Sequence, residues 1–426
     1  MTRLGLLLVA PLLAACAGGA DGATDDAGTI DFMVFGDPEE IVAYENLIAA
    51  FEAREPDVDV NLIVTSDRDD LIARLSTSFA GGQPPDLFLM NYRYYGQFAT
   101  RGVLEPLGPY LEGSDVFERE DFYEVAMDAF VFEGEQTCLP QNISSLVTYY
   151  NKDLFAEASV PEPTAGWTWD EMVERALALT RDTDGDGTTD VYGLGAGPSV
   201  IRIAPFVWSN GGEIVDDPDR PTRFTLDTPE AQEALQAFFD LRLVHQVIPD
   251  EQEVESEDDE SRFLNGGLAM VLSSRRSTPL FRTITDFTWD VAPLPVFDEQ
   301  AGILHADAYC LTEGSEKKGA SWTFAEFALG PEGQAITAAS GRTVPSLIEV
   351  STSEAFLDPS ADPASSQVFI DTIPVIRRVP SISTWPEIEE AAEQLLELGL
   401  YEGVPASEVA RSIDDATRSI FARARA

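Results

Sequence analysis

Residues 29–91 predict an α/β fold with a parallel sheet, on two observations. Short apolar runs alternate with helical patterns. Ile30–Phe35, Val58–Val64 and Leu87–Met90 read as strands, and the segments Ile41–Phe51 and Asp69–Phe79 between them keep helical spacing. The punctuation agrees with the pattern. Asp37-Pro38 is an N-cap followed by proline at the first helical position, Glu55-Pro56-Asp57 is a turn, and Gly81-Gly82 closes the second helix. In sheets of this kind ligands gather outside the carboxyl ends of the strands. Phe35, Gly36 and Asp37, and Asn91, Tyr92 and Arg93, are therefore candidate binding residues. Asp37 serves equally well as a helix cap, and Tyr92, Tyr94 and Tyr95 equally well as core or surface aromatics.

Before the first strand, Met1-Thr2-Arg3 is short and basic and Leu4–Leu13 is a brief apolar run. It is too short to span a bilayer as a mature helix and reads as a secretory signal peptide, residues 1–15. Leu13-Ala14-Ala15-Cys16 resembles the lipobox of bacterial lipoproteins. The resemblance implies cleavage before Cys16, acylation of that residue, and a protein held outside the cell membrane by lipid alone. Residues 16–28 carry no large apolar side chain beyond the cysteine and read as a flexible tether.

The net charge of −48 argues against nucleic acid and anionic membrane surfaces as partners. Two histidines, His245 and His305, leave little for metal or triad chemistry. Cys138 and Cys310 remain beside Cys16; two free buried thiols and one disulfide are equally compatible with the sequence.

Further along, residues 117–132 read as helical. Tyr149-Tyr150-Asn151 ends a strand and Lys152 opens a helix, while Thr168 caps the helix that runs to Leu179. Residues 263–272 join a helix end to a buried strand. Trp289–Pro295 and Ala308–Leu311 are further strands, and residues 320–329 and 387–398 are helices. Residues 361–366 form a polar connector.

Four features, in order, resemble the extracellular solute-binding proteins of bacterial ABC importers, in the sugar-binding group that includes maltose-binding protein. They are Leu139-Pro140 running to Tyr150–Phe155, the Trp167–Glu171 helix start, Phe263 with Gly266 and Ala269-Met270, and the Ala292–Pro295 strand exit. The resemblance implies a two-lobed α/β fold of the periplasmic-binding-protein type II class with the ligand in the interlobe cleft. It implies lobe one at 29–143 and 305–344 and lobe two at 144–304 and 345–426. Cys138 and Cys310 would then lie on or beside crossing strands, which makes a hinge disulfide conceivable. It implies a monomer that binds a carbohydrate, partners with ABC permease subunits, and uses neither catalysis nor a cofactor.

Sugars offer hydroxyls at the rim and C–H groups on the faces, which suit planar polar side chains and aromatic rings. At the positions the family uses stand Ser144, Trp208 with Asn210, Ser274 with Arg275 and Arg276, His305 with Asp307, and Trp385. Trp208 and Trp385 suit core packing as well as stacking. Arg275 and Arg276 suit salt bridges as well as an acidic ligand. Maltose-type sites often carry an aromatic or Gly-Pro there, so the pair departs from a maltose-like pattern.

Asp182, Asp184, Asp186, Thr188 and Asp190 with Gly187 follow the spacing of a calcium loop, but Gly193 stands where the closing glutamate belongs. A weak structural calcium and an ion-free acidic loop both fit. Two other functions fit the composition. One is a secreted carbohydrate-active enzyme using two of the many carboxylates. The other is a binding protein for an acidic or phosphorylated solute, used in import or sensing.

Overall fold

The structure, a computed structural model, describes residues 27–424. The signal peptide, Cys16 and most of the expected tether lie outside the described residues. No helix among those described is long and apolar enough to cross a membrane.

Two sheets organise two bodies. In the first, β1 (Gly28–Phe35), β2 (Val58–Thr65) and β3 (Leu87–Asn91) run parallel. They are joined by α1 (Pro38–Glu52) and α2 (Arg68–Gly81), as the alternating sequence pattern requires. The sheet continues with β8 (Asp307–Leu311), antiparallel to β3, and then β4 (Cys138–Pro140), which gives the order β2-β1-β3-β8-β4. The late strand reaches the middle of the sheet because the chain returns from the second body. There β5 (Val147–Asn151) lies between β6 (Met270–Ser273) and β7 (Trp289–Ala292), antiparallel to both.

Local chemistry sets the helix starts beside the strand ends. Asp67 accepts the amide of Asp70 at 2.8 Å to cap α2, and Gly82, with φ of +69°, closes that helix. Asn91 accepts the amide of Arg93 at 3.2 Å and opens α3 (Tyr92–Ala99). Asp37 occupies the cap position of α1 but makes no capping bond, because its carboxylate is taken by Arg342. Gly96 in α3 lets the helix lie against the backbone of residues 381–383; a Cβ there would sit 2.1 Å from the Ser381 carbonyl oxygen.

Two expectations change. Residues 117–132 are not one helix: a short turn, the helix Glu124–Asp128 and the hairpin Val131–Phe132 with Glu135–Gln136 replace it. Gly134, with φ of +88°, makes the hairpin turn that breaks the helical register. Cys138 and Cys310 form a disulfide, but within the first sheet rather than across the hinge. They are register partners on β4 and β8 with Cα atoms 4.4 Å apart.

The crossing segments run side by side just beyond that bond. Ser144 and His305 exchange both backbone hydrogen bonds, at 2.8 and 2.9 Å, and the Ile143 amide donates to the Val344 carbonyl at 3.0 Å. Residues 347–351 still pack on the first body, where the Tyr123 and Ser351 hydroxyls are 2.8 Å apart. The Ser365 amide then donates to Asp290 of the second body at 3.0 Å.

Candidate functional site

A cleft of about 460 Å³ opens between the two bodies and is lined from both. The first body supplies three strand-to-helix turns: Phe35–Asp37 after β1, Ser66–Asp69 after β2, and Asn91–Tyr94 after β3. Opposite are Ile201 and Arg202, at the start of α4 (Val200–Ser209), and Ser273, Ser274 and Arg276 after β6. His305 and Arg342 close the floor. A chamber of about 50 Å³ shares several of these residues and adds Glu40, Ser144 and Asp307.

Most charges on these walls are tied into networks. Arg93 donates to Glu389 at 2.7 Å, a bond from the start of α3 to α5 (Trp385–Glu402). Glu389 raises the Arg93 guanidinium further above its usual value, against the opposing effect of burial. Arg276 pairs with Glu260 at 2.6 Å, and Glu260 also accepts the Ser273 and Ser277 hydroxyls. Arg342 pairs with Asp37 and Glu40. Burial pushes Glu40 up to about 7, with Arg342 opposing, and Tyr44 donates to its carboxylate at 3.1 Å. Asp307 accepts the side-chain amides of Asn91 at 3.0 Å and Asn142 at 3.3 Å, which fixes the floor. Burial, then Arg93 and Arg68, hold the His305 imidazole well below its usual range, so it stays neutral.

Arg68 differs from these. Its guanidinium lies 5.5 Å from the Phe35 ring centroid and 5.9 Å from that of Tyr94, with no hydrogen bond or ion pair to any described residue. Sequence reasoning passed over Arg68, Arg202 and Arg342. The carboxyl end of β2 carried a usable signal for Arg68, since the rule that selected the ends of β1 and β3 applies there too.

Several expected site residues lie elsewhere. Trp208 is buried beneath the Arg377 guanidinium, 4.7 Å from its ring, because its face of α4 turns to the second body's core. The Asn210 side-chain amide donates to the Glu230 carbonyl at 2.8 Å, at the helix end. Trp385 is fully buried between Phe224 and Phe421 and does not line the cleft. Arg275 points away from the cavity. It donates to the Gly341 carbonyl at 2.7 Å and the Ser366 hydroxyl at 3.0 Å between the rings of Phe356 and Phe369, where it ties the bodies together. Phe35, Gly36, Asp37, Asn91, Tyr92, Arg93, Ser274 and Arg276 do meet at the cleft, with Ser144 and Asp307 at its floor.

In the acidic loop, carboxylate oxygens of Asp182, Asp184 and Asp190 lie within 4.8 Å of one another. Asp186 and Thr188 are not part of that group; the Asp186 carboxylate accepts the Thr188 amide at 2.7 Å instead. The amides of Gly187 and Gly185 hold Asp182 below the usual carboxylate range.

Residues 37–335 match the family described as bacterial extracellular solute-binding protein. A Listeria monocytogenes ABC substrate-binding protein solved in complex with cycloalternan superposes with a TM-score of 0.84 at 26% identity, over 93% of this chain and 99% of that one. The sugar-binding protein MalE of Xanthomonas citri gives 0.81 at 22% identity, over 93% and 98%. In sequence, a Brucella abortus binding protein is 26% identical over 361 residues, 83% of this chain and 84% of its own. A maltotriose-binding protein of Pyrococcus abyssi is 29% identical over 203 residues, 48% of this chain and 40% of its own. The fold is that of sugar-binding ABC transporter substrate-binding proteins.

Proposed function

The chain belongs to the bacterial extracellular solute-binding protein family, and from that premise we propose that it captures a carbohydrate outside the membrane by closure of its two bodies and delivers it to an ABC permease without chemical change. The observation that carries this reading is the cleft itself. Its walls come from both bodies, and its floor is made of hydrogen-bonded crossing strands. A ligand touching both walls favours the closed arrangement by the difference in contacts it makes in each state. Asn91, Ser274, Arg93 and Arg276 supply planar and hydroxyl hydrogen-bonding groups, and Phe35 and Tyr94 supply ring faces. Titration calorimetry against mono- and oligosaccharides tests it. Stoichiometric binding with the saccharide recovered intact is the expected result; released hydrolysis product would favour an enzyme.

The same proposal holds the receptor, as a monomer, at the cell membrane through lipid on Cys16, supported by the lipobox-like Leu13-Ala14-Ala15-Cys16. Cys16→Ser should release the protein to the medium with its affinity intact, and retention of that variant in membranes contradicts the anchor. Calcium at Asp182, Asp184 and Asp190 belongs to the proposal as a structural ion, supported by the proximity of three carboxylates. Its test is a rise in thermal midpoint with calcium that Asp184→Asn abolishes; equal midpoints with calcium and chelator remove it.

A further inference from the structure

We infer that the saccharide taken by this cleft is anionic, its acidic group held between Arg68 on one wall and Arg202 on the other. The inference rests on the carbohydrate reading above and deepens it.

The protein carries a net charge of −48, with 27 lysines and arginines against 75 acids. Five of those 27, Arg68, Arg93, Arg202, Arg276 and Arg342, nevertheless converge on one cavity. Three are matched by carboxylates: Arg93 by Glu389, Arg276 by Glu260, and Arg342 by Asp37 and Glu40. Arg68 and Arg202 are not. Neither has a carboxylate within 4.0 Å among the described residues, and the Nε atom of each is buried without an acceptor. Among the described residues the Arg202 guanidinium donates only to the Ser199 hydroxyl, at 3.3 Å, and its charge acts on the carboxylates of Asp259 and Glu393 without a direct ion pair. Other arginines with a buried unpartnered nitrogen, Arg175, Arg181 and Arg262, each sit within 4.0 Å of a glutamate. In so acidic a chain, two cleft cations with no directly paired carboxylate mark a place where a partner from outside fits, although Asp307 acts on Arg68, and Asp259 and Glu393 on Arg202, from further off.

The surroundings favour an anion further. Arg68 and Arg202 stand in the first turns of helices of 14 and 10 residues, whose dipoles favour negative charge, though Asp67 already caps the first and the Glu393 carboxylate meets the Val200 amide at the start of the second. Asp67 and Asp69 also line the cavity. Asp67 is committed to the Asp70 amide, and Asp69 is exposed. His305 below is held neutral by burial and by four of these arginines, which reports the positive field there. A guanidinium fork matches a carboxylate or a phosphate ester, and a neutral hydroxyl satisfies it less well. Because the two arginines come from opposite bodies, an acidic group between them would draw the bodies together.

The test is calorimetry on the purified protein with matched pairs: digalacturonate against the neutral digalactoside, and glucose 6-phosphate against glucose, with inorganic phosphate alone as a further probe. At least one acidic member should bind about tenfold or more tighter than its neutral counterpart, with affinity falling as salt rises. Preference within the acidic members separates carboxylate from phosphate. Arg68→Met and Arg202→Met should each lower the acidic affinity by about tenfold or more; Arg68→Met should do so without lowering the thermal midpoint, since Arg68 has no direct ion pair, whereas Arg202→Met also removes a favourable charge beside the buried Asp259. Equal affinity for acidic and neutral members, or arginine variants that lose stability but keep the preference, overturns the inference and leaves carbohydrate capture standing. Binding of inorganic phosphate alone as tightly as any saccharide overturns both. Binding of no probe at millimolar concentration overturns the carbohydrate reading itself.

Discussion

Replacing Glu389 by glutamine should be among the most damaging single changes at the cleft. The pair it breaks joins the start of α3 to α5 and is almost closed to solvent, with side chains 13% and 7% exposed. With charge centres about 4 Å apart and an effective dielectric of about 20, the attraction is worth about 4 kcal/mol. Glutamine keeps the shape but leaves the Arg93 guanidinium buried without its counter-charge. A buried pair broken on one side costs about 3–5 kcal/mol, whereas an exposed pair costs under about 1 kcal/mol. Denaturant unfolding followed by both tryptophan fluorescence and circular dichroism reads the loss and tests whether the two bodies unfold together. The companion Arg93→Met/Glu389→Leu, which removes both charges, should recover most of the stability. A single-variant loss below about 1 kcal/mol, or a double variant no better than the single, refutes the reasoning.

Replacing both Cys138 and Cys310 by alanine opens a link between strands 172 residues apart; the loss should approach about 5 kcal/mol on a chain-entropy account, and unfolding midpoints indifferent to reductant would count against it. Gly96→Ala drives a methyl group against the Ser381 carbonyl and should cost about 1–3 kcal/mol; a neutral result would mean the α3 contact yields easily. Trp385→Ala should cost about 3–5 kcal/mol through the cavity between Phe224 and Phe421, with saccharide affinity unchanged, and an affinity collapse in a folded variant would return Trp385 to the site. Glu40, at about 7 in the folded chain against 4.5 ordinarily, keeps a proton that the unfolded chain releases. Its contribution is therefore full below pH 4.5 and lost as pH rises through 7. Glu40→Gln should gain on the parent across that window by on the order of 3 kcal/mol, and parallel pH–stability curves would contradict the assignment.

What the sequence determined by itself was local. Hydrophobic period and caps placed β1, α1, β2, α2 and β3 within a residue or two, and Thr168 caps its helix through a reciprocal bond with Glu171. Strand ends follow from the same pattern, so Phe35–Asp37 and Asn91–Arg93 were legible as cleft residues before any fold was known. The region at 117–132 misled because its apolar spacing fits a helix while the Gly134 turn folds it into a hairpin. Tertiary structure alone decided direction and partnership. Arg275 and Arg276 are neighbours in sequence, yet one turns back between Phe356 and Phe369 and the other faces the cleft. Trp208 and Trp385 suited stacking and packing equally until the helices carrying them were set against a core. Cys138 and Cys310 became register partners only when β8 returned from the second body to lie beside β4. The reason is physical: a capping bond or a helical stripe spans a few residues, whereas pairs such as Arg93 with Glu389 and Arg342 with Asp37 are settled between segments 296 and 305 residues apart. Arg68 and Arg202 stand out as lacking a direct ion pair only when all those pairings are in view.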